Sequence, residues 1–432
     1  MKTQISIKED KFLINNQLTY QEIKTVNPKA AGLLLNARFI QGIFDDASQP
    51  ERFNRFGREF DPDKNTDDLI KALPQWHQYG LRAFTVGFQG GGPCYTTDNM
   101  TINNNPYSSD GSKMDPSYLD RMSRLIKAAD QIGMIVIVSL FYGAQSRFLN
   151  DDQAVQQAVM TASEWLKEQQ FTNVIIEIAN EHDVSDFKIH PVIFEPEGIV
   201  KLIKLARQAS GGMPVGCSGT GGAYSEKIAT ASDVILIHGN GQSRQNLYNL
   251  IMKAKKVKPM RPIVCNEDSQ AISNLDVCVK ESVSWGYYNN LSKQEPPACW
   301  EIQPGEDTFF ANRMAKSIGI QTSPIPFENQ FYLHGFEPEI TVGNKRWIRL
   351  GSLYPESIDF VEFYRNGQLF ATAYDDPFMV NHIGNWMQGP VIGVTAEDNW
   401  TVVVHFASSP GQSPLKAQIA ALDPGKARLP GV

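Results

Sequence analysis

The chain has 432 residues, a formal charge of −7 and five cysteines. That length can bury a large core in two or three domains. The mild negative charge, with no basic run, argues against a nucleic-acid surface, which needs clustered Lys and Arg. The longest apolar stretch, Met134–Leu140, is far too short to span a bilayer, so no membrane partner is expected. Met1–Lys11 is charged and has no apolar core of the signal-peptide kind, so no signal peptide is visible. A secreted or periplasmic setting fits if a leader has been removed.

In chain order, Ile5–Tyr20 alternates and turns at Asn15-Asn16, which predicts a hairpin. Short apolar runs separated by helical segments then take over. The runs are Gly32–Phe44, Leu81–Phe88, Met134–Phe141, Asn173–Ala179, Pro214–Ser218, Asp233–His238, Arg261–Cys265 and Ser282–Tyr288. Between them lie amphipathic stretches such as Asp115–Ile132, Gln153–Gln169 and Glu197–Ala209. The first opens Asp115-Pro116, an N-cap followed by proline at the first helical position. Near-continuous Val/Ile/Leu strands alternating with helices indicate a parallel sheet buried on both faces. Eight such units predict a (β/α)8 barrel over residues 1–323, hairpin included. An open doubly wound sheet is the rival, but no G-x-G-x-x-G follows the first strand.

From about Ser323 the pattern becomes short alternating strands: Glu339–Val342, Arg346–Leu350, Val361–Arg365, Gln368–Ala373, Pro390–Thr395 and Trp400–Phe406. Asn366-Gly367 is a strong hairpin turn. Residues 324–432 are therefore expected to form a β-sandwich. The piece Val361–Phe370, followed by Asp375-Asp-Pro-Phe378, resembles the Ig-like modules appended to bacterial polysaccharide enzymes.

In a β/α barrel the reacting groups stand at the carboxyl ends of the strands. Strand four reads Asn173-Val-Ile-Ile-Glu-Ile-Ala-Asn-Glu-His-Asp183, and strand seven reads Arg261-Pro-Ile-Val-Cys-Asn-Glu-Asp268. Both carry Asn-Glu, and the two strands face one another across the mouth. Glycosidic cleavage needs a proton donor and a second carboxylate across the scissile bond. These residues resemble the clan A glycoside hydrolases, family 5 in particular. The resemblance implies a retaining cleavage of O-glycosidic bonds in an oligo- or polysaccharide, with no cofactor and no metal. Glu181 would be acid/base, Glu267 nucleophile, and Asn180 a contact to the hydroxyl beside the anomeric carbon. Trp285 would be a sugar platform and His238 a neighbour of the nucleophile. The family's arginine late in strand two is missing, Thr85 standing there with Arg82 three residues earlier; Arg38 in strand one is the expected replacement. His182 replaces the usual proline after the strand-four glutamate. The rival function, a carbohydrate-binding protein on a barrel that has lost catalysis, gives no reason to keep both glutamates.

Other residues have plainer readings. Glu177 points into the barrel and is expected to pair with an arginine. Asp61-Pro-Asp-Lys-Asn-Thr-Asp67 has calcium-loop spacing but lacks the glycine at position six and the glutamate at position twelve, so it reads as the N-cap region of the helix after Asn65. Gly90-Gly-Gly-Pro93 has no following Lys-Ser/Thr and reads as a tight turn that lets substrate approach the backbone. Asp45, Asp46 and Asp183 either bind sugar hydroxyls or cap helices. Cys94, Cys217, Cys265, Cys278 and Cys299 form no C-x-x-C pair, so zinc is not expected, and Cys217 and Cys265 read as buried apolar groups. A metal-dependent barrel hydrolase would need His-x-His after strand one, where Gln41-Gly-Ile-Phe44 stands.

Overall fold

The structure is a computed structural model. It describes residues 1–420 apart from Cys94, Tyr95, Gln270, Leu291, 337–344, 381–391, Ala396 and 408–415.

Eight parallel strands form the barrel: β1 (Asn36–Arg38), β2 (Ala83–Gly87), β3 (Ile135–Phe141), β4 (Val174–Ala179), β5 (Val215–Gly216), β6 (Ile235–His238), β7 (Ile263–Asp268) and β8 (Ser284–Tyr287). Their order is β5-β4-β3-β2-β1-β8-β7-β6. The seam between β5 and β6 closes through the Asp233 amide, which donates to the Val215 carbonyl at 2.8 Å. Every residue of these strands is buried, because each is covered by side-chain layers inside and helices outside. That two-sided burial is why the sequence shows apolar runs rather than alternation.

Eight helices follow the strands in turn: α1 (Pro62–Gln78), α2 (Pro116–Gln131), α3 (Asp152–Glu168), α4 (Pro196–Ala209), α5 (Glu226–Ala231), α6 (Arg244–Ala254), α7 (Ser273–Lys280) and α8 (Glu306–Ile318). Their starts are set locally. Asp61, Asp115 and Asp151 accept amide hydrogens of the first turns of α1, α2 and α3. The helix expected after Asn65 thus begins at Pro62, capped by Asp61. Asp63 and Asp67 of that segment pair with Arg124 of α2, which is a helix–helix tie.

The N-terminal segment is a three-stranded meander (Ile5–Lys8, Lys11–Ile14, Gln17–Leu18) rather than a single hairpin, since the chain also turns at Glu9. Asn15 and Asn16 both have positive φ, as a tight two-residue turn requires. Ile5 and Phe12 pack on Leu34, Ala83, Ile135 and Val234, the starts of the barrel strands and their approaches, and so plug the end opposite the carboxyl ends of the strands.

The C-terminal part is all β. One antiparallel sheet joins β9 (Phe331–His334), β11 (Arg349–Ser352) and β14 (Phe378–Met379), and a short pair joins β10 (Lys345–Arg346) and β15 (Ile392–Gly393). A four-stranded sheet runs β13-β12-β16-β17, with β12 Ile358–Arg365, β13 Gln368–Ala373, β16 Trp400–Phe406 and β17 Lys416–Ala420. Leu333 and Leu350 of the first sheet share a core with Val361, Phe363 and Val402 of the last, so the layers face each other. Asn366 and Gly367 take positive φ between β12 and β13, the expected turn. The strand expected at Glu339–Val342 lies outside the described residues, as do Pro390 and Val391. This part meets the barrel through apolar Ile272, Phe309 and Leu353. Two ion pairs reinforce the junction: Arg313 with Glu356 at 2.8 Å, and Arg349 with Glu306.

Candidate active site

Asn180 and Glu181 follow the last residue of β4, and Glu181 adopts φ +52°. An L-residue held in the left-handed region carries strain that must be met by its surroundings, a situation found at functional sites. Ser218, just past β5, meets part of it. Its Oγ accepts the Glu181 amide at 3.2 Å and donates to Glu177 Oε1 at 2.7 Å. Glu177 also accepts from Asn266 Nδ2 at 2.9 Å. The arginine expected to pair with Glu177 is therefore replaced by a serine and an amide, although Arg38 feels the Glu177 charge.

Glu267 stands near the end of β7, where the register against β6 and β8 shifts beyond Cys265. Arg38 Nε lies 2.7 Å from Glu267 Oε2, and Nη2 donates to Asn180 Oδ1 at 2.9 Å. The guanidinium sits over the Tyr288 ring, 5.5 Å from its centre. Burial works against its charge, but Glu267 and its neighbours more than offset this and raise its pKa above the ordinary value. Asn240 Nδ2 donates to the other oxygen, Oε1, at 2.6 Å. Arg82 is elsewhere, paired with Glu22.

His238 ends β6 and is fully buried. Its Nδ1 lies 3.1 Å from Glu181 Oε1 and 3.7 Å from Glu267 Oε2. Burial disfavours the imidazolium, yet the two carboxylates outweigh it and raise the His238 pKa. Donor atoms of Glu181, His238 and Glu267 all lie within 4.8 Å of one another, a spacing that suits an ion. Arg38 already supplies positive charge there, so the donors are committed to one another and to the guanidinium. The two carboxylates have unlike surroundings: the Glu181 side chain is 22% exposed against 6% for Glu267.

The structure thus brings Arg38, Asn180, Glu181, His238 and Glu267 together and leaves two expected residues out. Trp285 is fully buried, not a platform. Its Nε1 donates to Asp268 Oδ2 at 2.8 Å, and its ring lies 5.7 Å from Phe310 of α8, between sheet and helices. Asp183 accepts from the Thr220 amide and hydroxyl at 2.8 and 3.0 Å, so it ties the loop after β4 to the loop after β5. Asp45 and Asp46 are likewise structural, engaged by Arg121 and Arg52. Gly90, Gly91 and Gly92 are buried, with the Gly91 and Gly92 carbonyls accepting from Gln41 and Gln294. A Cβ on Gly91 would come 2.9 Å from the Tyr142 ring, so this loop seats a tyrosine instead of admitting a ligand. Cys217 and Cys265 are buried thiols, as expected. Sequence reasoning missed Asn240, Ser218 and Tyr288, whose only signal is a position just beyond strands six, five and eight.

No protein-family model and no curated protein sequence matches the chain. Solved structures do. An endo-β-1,4-mannanase from Thermotoga petrophila is 12% identical, with 90% of this chain and 97% of that one covered and a TM-score of 0.48. The β-mannanase of the blue mussel Mytilus edulis is 9% identical, with 73% and 97% covered and a TM-score of 0.45. A β-glucuronidase from Parabacteroides merdae is 11% identical with a TM-score of 0.43; 97% of this chain is covered but only 50% of that one, so the chain spans half its length. The chemistry is therefore read from this chain's own residues.

Proposed function

We propose that the chain is a retaining glycoside hydrolase of the clan A, family 5-like kind, acting on an oligo- or polysaccharide, with an Ig-like module at its C-terminal end. The observation that carries this is the carboxylate pair. Carboxylate oxygens of Glu181 and Glu267 lie within 4.8 Å of one another, a close approach that favours the ~5–5.5 Å pairing of retaining enzymes over the ~6.5–9.5 Å of inverting ones. Their surroundings support distinct roles. Glu267 is pinned by Arg38 on one oxygen and Asn240 on the other, which suits an aimed nucleophile. Glu181 is more exposed and touches His238, which suits a group that gives and takes protons.

In the first step Glu267 attacks the anomeric carbon while the Glu181 proton passes to the departing oxygen. The C–O bond to the leaving group breaks as the bond to Glu267 forms. In the second step Glu181 takes a proton from water, the resulting hydroxide attacks the same carbon, and Glu267 leaves as carboxylate. Asn180 Oδ1 is held by Arg38, which turns its NH2 away to serve as donor to a sugar hydroxyl.

A screen of aryl glycosides and plant or algal polysaccharides tests the reading, with Glu267→Gln as control. Wild type should turn over members of the panel and Glu267→Gln none. Glu181→Ala should keep the first step on an activated aryl glycoside, and added azide should then give a glycosyl azide of retained configuration. Azide with Glu267→Ala should give the inverted product. No turnover by wild type across the panel would refute the proposal, and swapped stereochemistry would reverse the roles.

A further inference from the structure

A groove of about 990 Å³ runs between the barrel and the β-domain, lined by α6, α7 and the loops before them on one side and by residues 355–358 and 374–378 on the other. Its near end belongs to the active-site scaffold. Gln242 lies two residues past Asn240, which holds Glu267, and its Nε2 bonds back to the Asn240 carbonyl at 3.5 Å. Asn274 joins the Gln242 carbonyl to Asp268, the residue after Glu267.

The lining is suited to a neutral, hydroxyl-rich chain. Tyr374 is 68% exposed and Tyr248 is 39% exposed, one on each wall. Phe360 braces Tyr374 from behind, with ring centres 5.6 Å apart and His405 stacked on Phe360 at 4.0 Å. A braced, solvent-facing ring loses little conformational freedom when it meets a ligand. Gln242, Gln245 and Asn246 also line the groove, and their amides can both donate and accept. Charges nearly cancel: Glu281 and Glu356 are paired with Lys255 and Arg313, which leaves Arg244 and Lys280 against Asp375 and Asp376. The walls are fastened together as well, since Asp376 accepts from the Ser273 amide at 3.1 Å and hydroxyl at 2.8 Å at the start of α7.

We propose that this groove is a distal saccharide subsite, in which Tyr248 and Tyr374 stack on the apolar faces of sugar rings of a polymer whose scissile bond lies at Glu181 and Glu267. This rests on the glycosidase reading and deepens it: the substrate is a neutral polysaccharide, and the β-domain supplies part of its binding site. The test uses the full chain and three variants: Tyr248→Ala/Tyr374→Ala, the matching Phe pair, and Glu267→Gln. Retardation is measured in native gels cast with galactomannan, xyloglucan, laminarin or hydroxyethylcellulose. Steady-state rates are measured on the same polymers and on aryl glycosides.

The Ala pair should lose retardation and raise polymer KM ~5–10-fold, the effect of removing aromatic anchors. Its kinetics on small aryl glycosides should be unchanged. The Phe pair, which keeps the rings, should behave as wild type, and Glu267→Gln should still be retarded. Aryl-glycoside turnover by wild type with no difference between wild type and the Ala pair on any polymer overturns the subsite and leaves the glycosidase reading standing. Retardation that the Ala pair loses, with no turnover of any substrate by wild type, upholds the groove and sinks the glycosidase reading. Loss of self-association, not of retardation, in the Ala pair would make the groove a contact between copies and overturn the proposal.

Discussion

Arg38→Met removes the guanidinium that pairs with Glu267 inside the barrel. Both side chains are nearly inaccessible, at 2% and 6% exposure, and Nε meets Oε2 at 2.7 Å. Breaking a buried ion pair by deleting one partner costs about 3–5 kcal/mol, because the remaining carboxylate stays desolvated. Asn240 still donates to it, but a neutral amide offsets only part of that penalty. Asn180 Oδ1 also loses its donor within the same network, so the two losses do not simply add. A chain of this size shifts its melting temperature by about 1.1–1.5 °C per kcal/mol, so Arg38→Met should melt ~3–7 °C lower. A double-mutant cycle with Glu267→Gln isolates the cause, since the double variant leaves neither charge stranded. Calorimetry on all four proteins should give a coupling energy of at least ~1.5 kcal/mol, the double variant being more stable than the sum of singles implies. Additivity within ~0.5 kcal/mol would show that Arg38 does not compensate Glu267, and the account of the site would fail.

Three further outcomes follow from the same geometry. The His238 pKa is raised in the folded state, so its contribution to stability is complete below its unfolded pKa near ~6.5 and is lost as pH rises through the higher folded value. The melting-temperature difference between wild type and His238→Gln should therefore shrink above pH ~6.5, and a difference constant with pH would contradict the two-carboxylate origin of the shift. Glu181→Gly relieves a left-handed residue at a gain of about 1 kcal/mol, so its urea midpoint should hold or rise while activity on poor leaving groups falls ~10²–10⁴-fold. A clear drop in midpoint would count against strain at Glu181. Deleting residues from 324 onward uncovers Ile272 and Phe309, so soluble yield and melting temperature should fall, and an equally stable truncated barrel would refute the packed junction.

Much of the barrel is legible because two-sided burial writes itself into the sequence as apolar runs such as Ile135–Phe141, and because caps such as Asp115-Pro116 mark helix starts. The proposed catalytic pair is legible for a similar reason: polar residues at the ends of such runs have few other places to go. Arg38 was distinguishable from Arg82 by strand, since only a side chain aimed inward from β1 reaches Glu267. The start of α1 lies four residues before the one expected, because Asp61, Asp63 and Asp67 are all plausible caps and only hydrogen bonding selects among them. Asn240 and Tyr288 lie beyond the strands, where no periodicity predicts direction.

Trp285 shows why the remainder was hidden. Which face a strand residue takes follows from the period of two, and a single bulge inverts that parity for everything beyond it. β7 carries such an irregularity after Cys265. In a regular strand Asn266 and Glu267 would point to opposite faces. Here both reach interior partners, Asn266 to Glu177 and Glu267 to Arg38, while Asp268 turns outward to the indole of Trp285. The bulge thus lets three consecutive polar side chains serve a buried brace, the proposed nucleophile and the helix-side anchor of Trp285. Burial in that outer layer pushes the Asp268 pKa up to about 7, despite the Trp285, Asn274 and Ser269 hydrogen bonds that lower it. A tryptophan that satisfies a buried carboxyl there is held by its indole nitrogen and has no face left for a sugar. The family resemblance puts Trp285 at the end of strand eight, but it is the second residue of β8, and its hydrogen bond to Asp268 holds it in the wall.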